Sequence, residues 1–181
     1  MAKVLVPLAD GCEELEAVTI IDLLRRAGIE VVSAGLNPGV VKASRGVQLV
    51  PDLTLDSALQ DEYDMVVLPG GMPGAAHLKS DPRILRLLKD MAAAGKYTAA
   101  ICAAPMVLAE AGVLEGRQAT SYPGFLDALP GVTVSAAAVV QDGKVLTSRG
   151  PGTAMDFALA LIETLAGADK RQQVEAALVR P

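Results

Sequence analysis

Short apolar runs that end in small or glycine residues and then give way to helical patterns constrain this chain more than any other feature. Lys3–Leu8 passes through Ala9–Asp10–Gly11 into a helical stretch from about Glu13 to Ala27, closed by Gly28. Glu30–Gly35 follows as a second run, with a turn at Leu36–Gly39. Met65–Leu68 ends in Pro69–Gly70–Gly71–Met72–Pro73–Gly74, ahead of a helix over Pro82–Ala94 that carries Ile84, Leu85, Leu88 and Met91 on one face. Thr98–Ile101 meets a helix that starts at Pro105 and stops at Gly112. Lys144–Thr147 leads through Ser148–Thr153 into Ala154–Leu165, and Ala168–Leu178 is a last helix. Glycine just past a helical run is a stop signal, and proline suits the first helical turn. Strands alternating with helices predict an α/β fold, a mostly parallel sheet with helices on both faces. Ligands in such sheets bind beyond the carboxyl ends of the strands.

Lesser elements fill the intervals. Val40–Ala43 and Val47–Val50 read as a strand pair, Asp56–Asp61 as a short helix, Gln118–Ser121 as a strand and Phe125–Leu129 as one helical turn. Val132–Val134 and Ala138–Val140 read as short strands, and Asp142–Gly143 marks a tight hairpin. With neither repeat nor linker composition, residues 1–181 read as one domain.

Composition removes several classes of function. Hydrophobic residues make up 51%, so disorder is excluded, and aromatics only 3%, so the core is aliphatic. The net charge of −5, without any Lys/Arg cluster, argues against nucleic-acid and anionic-membrane partners. No apolar run reaches the roughly 18 residues that span a bilayer. The chain enters Lys3–Leu8 directly, without a signal-peptide pattern, which points to the cytoplasm. Two cysteines, Cys12 and Cys102, make neither a disulfide framework nor a zinc site, so no metal is expected.

Candidate chemistry gathers after three strands. Cys102 falls at a strand-to-helix turn among small neighbours, Ala100 and Ala104, as at a nucleophile elbow. At the positive end of a helix dipole its thiol pKa is lowered, which favours a reactive thiolate; a small buried structural cysteine is the other reading. The stripe Ala17–Ile20–Ile21–Leu24, extended backwards, reaches Glu13 and Glu16, while Glu14 projects toward Asp22 and Arg25. Acids at a helix start are ordinary dipole partners, but one on the core side stays protonated more readily. The Gly70–Gly71 loop offers backbone N–H groups for an oxyanion, or is a plain turn. It is not a phosphate loop, because no Gly–Lys–Ser/Thr follows. The one histidine, His77, precedes the elbow on an exposed helix, and none follows it. That order excludes a Cys–His–Asp hydrolase and a glutamine amidotransferase, and leaves a carboxylic acid, Glu16, as partner for Cys102.

Gly11–Cys12–Glu13–Glu14–Leu15–Glu16, Arg25–Arg26–Ala27–Gly28, Val67–Gly71, Ala99–Ala103 and Thr147–Thr153, taken together, resemble the ThiJ/PfpI family. The similarity is to its branch containing the parkinsonism-associated protein deglycase, and it covers nearly the whole chain. The resemblance implies a flavodoxin-like three-layer sandwich that forms a homodimer. It implies Cys102 as nucleophile, Glu16 as the acid hydrogen-bonded to its sulfur, and the N–H groups of Gly71 and Ala103 as an oxyanion site. It places Glu13, Arg26, Arg45, Tyr122 and Pro151 at the pocket or the dimer interface. Tyr122 stands where close relatives carry histidine, and a phenol is a poor base near neutral pH. Cys12 is placed either to resolve an oxidised Cys102 as a disulfide or simply as a small buried residue.

Two functions follow from the resemblance. One is a cofactor-free, glutathione-independent stress-response enzyme acting on 2-oxoaldehydes such as methylglyoxal, or on their early protein or nucleotide adducts. The other is a redox-sensing cysteine protein with a chaperone-like role and no turnover.

Overall fold

The structure, a computed structural model, describes residues 1–181. In chain order the elements are β1 (Lys3–Leu8), α1 (Glu14–Arg26), β2 (Glu30–Gly35), β3 (Val41–Lys42), β4 (Gln48–Leu49), β5 (Leu53–Thr54) and α2 (Leu55–Ala58). Next come β6 (Met65–Leu68), α3 (Gly74–Ser80), α4 (Pro82–Ala93), β7 (Tyr97–Ile101), α5 (Pro105–Glu110), β8 (Arg117–Ala119) and β9 (Val132–Val134). The chain closes with β10 (Val139–Asp142), β11 (Val145–Ser148), α6 (Ala154–Ala166) and α7 (Ala168–Ala177).

Seven strands form the main sheet in the order β10-β11-β7-β6-β1-β2-β5. Every pairing is parallel except β10 with β11, which Gly143–Lys144 joins as a hairpin. Side chains alternate across this sheet. Val4, Val6, Leu8, Met65, Val67, Ala99 and Ile101 face α1, α6 and α7. Leu5, Val66, Leu68, Ala100 and Val145 face α2 to α5. This is the mixed α/β arrangement expected from the sequence, with a helical layer on each face. No helix is long and apolar enough to cross a membrane.

Chain direction reverses between β1 and β6. From β1 the chain moves outward to β2, and from β6 it moves the other way to β7 and β11. Loops at such a switch point diverge and leave a crevice at the strands' carboxyl ends. The β1–α1 and β6–α3 loops meet there: the Glu13 N–H donates to the Gly70 carbonyl at 2.8 Å. The β3–β4 hairpin braces them, Ser44 N–H donating to the Cys12 carbonyl and Gly11 N–H to that of Lys42, each at 2.8 Å.

Three local expectations fail. Phe125–Leu129 is a series of turns rather than a helical turn, with Gly124 at φ +98° before it and Pro130 after it. The short helix lies at Leu55–Ala58 instead of Asp56–Asp61, because Thr54 caps it by accepting the Ser57 N–H. Leu53–Thr54 is an edge strand, paired with Ala34–Gly35, where none was expected.

Phe157 is the largest fully buried side chain, on α6 against the sheet. Phe157→Ala is expected to lower unfolding stability by about 3–5 kcal/mol. Val50→Ala, at an 81% exposed position, should stay within about 0.5 kcal/mol of wild type. Urea titrations of the three proteins test this, and similar midpoints for all would overturn it.

Candidate active site

Cys102 lies between the end of β7 and the start of α5 with φ +63°, in the left-handed region. For a residue with a Cβ that conformation costs roughly 1–2 kcal/mol. Hydrogen bonds on both sides hold it: Cys102 N–H donates to the Ser148 carbonyl at 3.0 Å, and Tyr122 N–H donates to the Cys102 carbonyl at 2.8 Å. The bend turns the side chain out of the sheet toward the switch-point loops, where the residue is 9% exposed.

Glu16 reaches the same place from the first turn of α1 and is fully buried. Its Oε2 accepts the Gly70 N–H at 2.8 Å, while Oε1 has no hydrogen-bond partner. The Cys102 thiol is the polar side chain that meets this carboxyl. Gly70 lies between the two. A Cβ there would come 2.6 Å from the Cys102 Cβ and 2.8 Å from Glu16 Oε2, so the acid and the thiol face each other only across a glycine. The N–H groups of Gly71 and Ala103 lie near enough to the thiol to favour its ionised form. Gly71 has φ +87°, a conformation that glycine adopts without penalty.

Burial pushes the Glu16 carboxyl from its ordinary 4.5 to about 7, against the Gly70 N–H and the neighbouring Cys102 thiol, which pull it down. The thiol does not follow the expectation of a lowered pKa. Burial, and then the charge and hydrogen bonding of Glu16, push Cys102 to about 12, outweighing the Gly71 and Ala103 N–H groups. The expected dipole effect is small because α5 has only six residues, while an ionised carboxyl lies directly alongside. The thiol therefore keeps its proton until the carboxylate, or an electrophile, takes part.

The acids of α1 are distributed differently from the extrapolated stripe. Glu13 is the N-cap, in extended conformation, so helical phase does not reach it; its Oε1 accepts the Leu15 N–H at 3.2 Å. Glu14 does not project toward Asp22 and Arg25. It is buried against the β3–β4 hairpin, accepting from Ser44 Oγ at 3.0 Å and from the Arg45 N–H at 2.9 Å. Its periodic signal was present, since Ala17 and Ile21 follow it by three and seven positions.

The other candidates are scattered. Arg26 ends α1, roughly 15 Å along the axis from Glu16, and its Nε donates to Asp22 Oδ1 at 3.0 Å. Arg45 is exposed on the β3–β4 turn. Tyr122 is 49% exposed, its ring edge-on to Phe125 with centroids 6.3 Å apart. With Pro151 it lines an open cavity of about 300 Å³ beside the elbow. His77 is exposed on α3, and Cys12 is buried under the Gly71–Gly74 loop with its thiol pushed up to about 12 by burial and by Glu14. Both cysteines are free thiols.

A mainly parallel α/β sheet carrying a left-handed cysteine elbow, with a buried carboxyl facing the sulfur, defines a distinct class of cysteine protein. Residues 2–164 match the DJ-1/PfpI family, and the chain belongs to it. Protein dj-1beta of Drosophila melanogaster is 47% identical over 97% of this chain and 95% of its own length. The crystal structure of that DJ-1beta superposes with TM-score 0.96 at 45% identity, covering 99% of this chain and 98% of the other. An oxidized Toxoplasma gondii DJ-1 gives TM-score 0.95 at 42% identity, over 99% and 98% of the two chains. The glutathione-independent glyoxalase DJR-1.2 of Caenorhabditis elegans is 37% identical over 93% of this chain and 90% of its own.

Between pH 4.5 and 7 the folded chain keeps a proton on Glu16 that the unfolded chain has released. The stability that this carboxyl contributes therefore falls as pH rises through that window. Glu16→Gln removes the titration and keeps an acceptor for Gly70. The stability of the glutamine variant relative to wild type is expected to rise by roughly 2–3 kcal/mol from pH 4.5 to 8. Urea unfolding across this range tests it; parallel pH profiles would count against a buried, titrating Glu16.

Proposed function

We propose that this chain is a cysteine-dependent enzyme that converts 2-oxoaldehydes such as methylglyoxal, free or as early adducts, into 2-hydroxy acids without glutathione. The single observation that carries the reading is the thiol of Cys102 meeting the buried carboxyl of Glu16 across Gly70. A glutathione-independent glyoxalase among the relatives supports it.

In this reading Glu16, poised near neutrality, takes the thiol proton as sulfur adds to the aldehyde carbon. The S–C1 bond forms and the carbonyl electrons move to O1, which the Gly71 and Ala103 amides receive. Glu16 returns the proton to O1, completing a hemithioacetal. The carboxylate then removes the C1 proton, giving an enediolate; the proton on O1 passes to O2, and Glu16 delivers the C1 proton to C2. The product is a thioester of the 2-hydroxy acid. Water cleaves the S–C1 bond, and sulfur leaves as the thiol. One carboxyl serves the proton transfers at sulfur and at carbon, and no step calls on Tyr122 as a base. The N-terminal turns of α1 expose Leu15 and Val18 at about half their surface, and we place a homodimer contact there, with Arg26 and Arg45 at its margin. The protein works in the cytoplasm as one domain over residues 1–181.

The second reading is a redox-sensing thiol with a chaperone-like role. The oxidized relative favours it, because the same acid can hydrogen-bond an oxidised sulfur.

Purified protein with methylglyoxal and no glutathione is expected to form lactate over many turnovers. Cys102→Ala should abolish this, and Glu16→Gln should lower kcat by about 10²–10⁴ with KM little changed. A stoichiometric adduct without turnover would remove the enzyme reading and leave the redox one.

A further inference from the structure

Arg45 and Arg149 are the arginines of this chain that no carboxylate holds; the others each have an acidic partner. Arg45 projects from an exposed turn. Arg149 is half-buried and lines the open cavity of about 300 Å³ that Tyr122, Pro123, Pro151 and Thr153 also line. Cys102 does not itself line this cavity, but both of its rims are bonded to the Cys102 backbone. Ser148, the residue before Arg149, accepts the Cys102 N–H, and Tyr122 donates to the Cys102 carbonyl. The loop that carries the guanidinium is fixed. Arg149 N–H donates to the Ala138 carbonyl at 3.3 Å, Gly150 N–H to Thr153 Oγ1 at 3.1 Å, and the Ser148 and Thr153 hydroxyls meet at 2.7 Å.

A guanidinium held on a rigid loop, facing a cavity and lacking an acid of its own, is ready to bind an oxyanion. Its planar fork of N–H donors matches a carboxylate or a phosphate. The cavity is also roomier than the methyl group of methylglyoxal requires.

We propose that Arg149 is a specificity-determining residue that binds an anionic substituent, carboxylate or phosphate, on the carbonyl compound attacked by Cys102. Tyr122 and Pro151 pack against the carbon chain between the anion and the reacting carbon. The proposal rests on Cys102 as the attacking nucleophile, but not on turnover. It names the substrates as carbonyl compounds with an acid group a few atoms from the aldehyde, and it assigns this residue a role that the acid–thiol pair does not supply.

The test compares alkylation of Cys102 by iodoacetate and iodoacetamide, followed by mass spectrometry of the Cys102 peptide at constant ionic strength. The two reagents are nearly the same size, both lose iodide to the sulfur, and they differ in charge. A change in thiol pKa or in general access moves both rates together, so their ratio isolates anion binding. Arg149→Gln is expected to lower the iodoacetate-to-iodoacetamide ratio by at least about tenfold, the factor carried by one charge-assisted hydrogen bond. Arg149→Lys should keep part of the preference. An unchanged iodoacetamide rate in both variants shows that the elbow is intact. An unchanged ratio in Arg149→Gln would overturn the proposal. Inorganic phosphate and acetate, added as protectants, separate the two sources: protection by phosphate alone assigns a phosphate, protection by acetate alone a carboxylate, and protection by neither overturns the site. A retained preference without lactate formation would remove the turnover reading and keep the anion site; lost preference with intact turnover would do the reverse.

Discussion

Burying the Glu16 carboxyl is the constraint on which the rest of the site depends. A desolvated carboxylate needs donors, and here one oxygen has the Gly70 N–H while the other has none. That shortfall keeps the group titrating near neutrality and makes the neighbouring thiol its natural partner. It also dictates the residues around it. Position 70 has no room for a Cβ, since one would press on both the carboxylate and the Cys102 side chain. Position 71 must reverse direction at once, so that its N–H lies near the thiol. The bond from Glu13 N–H to the Gly70 carbonyl then locks the two loops, and the acid cannot swing out to water without breaking that brace.

Glu14 is the control that the molecule itself supplies. It lies two residues from Glu16 on the same helical turn; Glu16 is fully buried and Glu14 nearly so. Burial pushes the Glu14 carboxyl up as well, but the hydrogen bonds of its own backbone, Ser44, Arg45 and Val47 outweigh this and leave it lowered. Depth of burial and donor count together separate an acid held ionised from one that exchanges its proton near pH 7. The first ties the β3–β4 hairpin to α1, and the second faces the sulfur.

The sheet was legible because its signals are local and repeated. Apolar runs of strand length, glycine stops and Pro105 place β1, β6, β7 and their helices within a residue or two. The elbow was legible for the same reason: a lone cysteine among alanines between a strand and a proline has few other places to go. Leu53–Thr54 was not, because two residues carry no periodicity and pair only through the β2 edge that tertiary folding supplies. Glu13 was counted on the apolar stripe because the helical phase was carried back to an N-cap, while Glu14, the first helical residue, had its own signal in Ala17 and Ile21. The thiol's raised pKa was hidden for a different reason: the dipole argument uses neighbours in sequence, whereas the dominant charge comes from a residue on α1. Arg149 was visible only as part of a motif, and its lack of an acid partner is a property of the folded chain alone.

A site with one carboxyl and no imidazole restricts the chemistry it can run. Peptide hydrolysis by a thiol needs one group to activate the sulfur and the same or another group to protonate an amine leaving into water, which histidine does because its cation is stable near neutral pH. The Glu16 carboxyl sits beneath the sulfur, walled by Gly70 and cut off from bulk solvent, so the protons it handles must come from the substrate or from the thiol. Moving a proton between adjacent carbons of a bound carbonyl compound meets that condition: the proton leaves and returns within one pocket, and the carboxyl ends each cycle in the state in which it began. The same enclosure leaves this route independent of Tyr122. At 49% exposure its ring stands outside the acid–thiol contact.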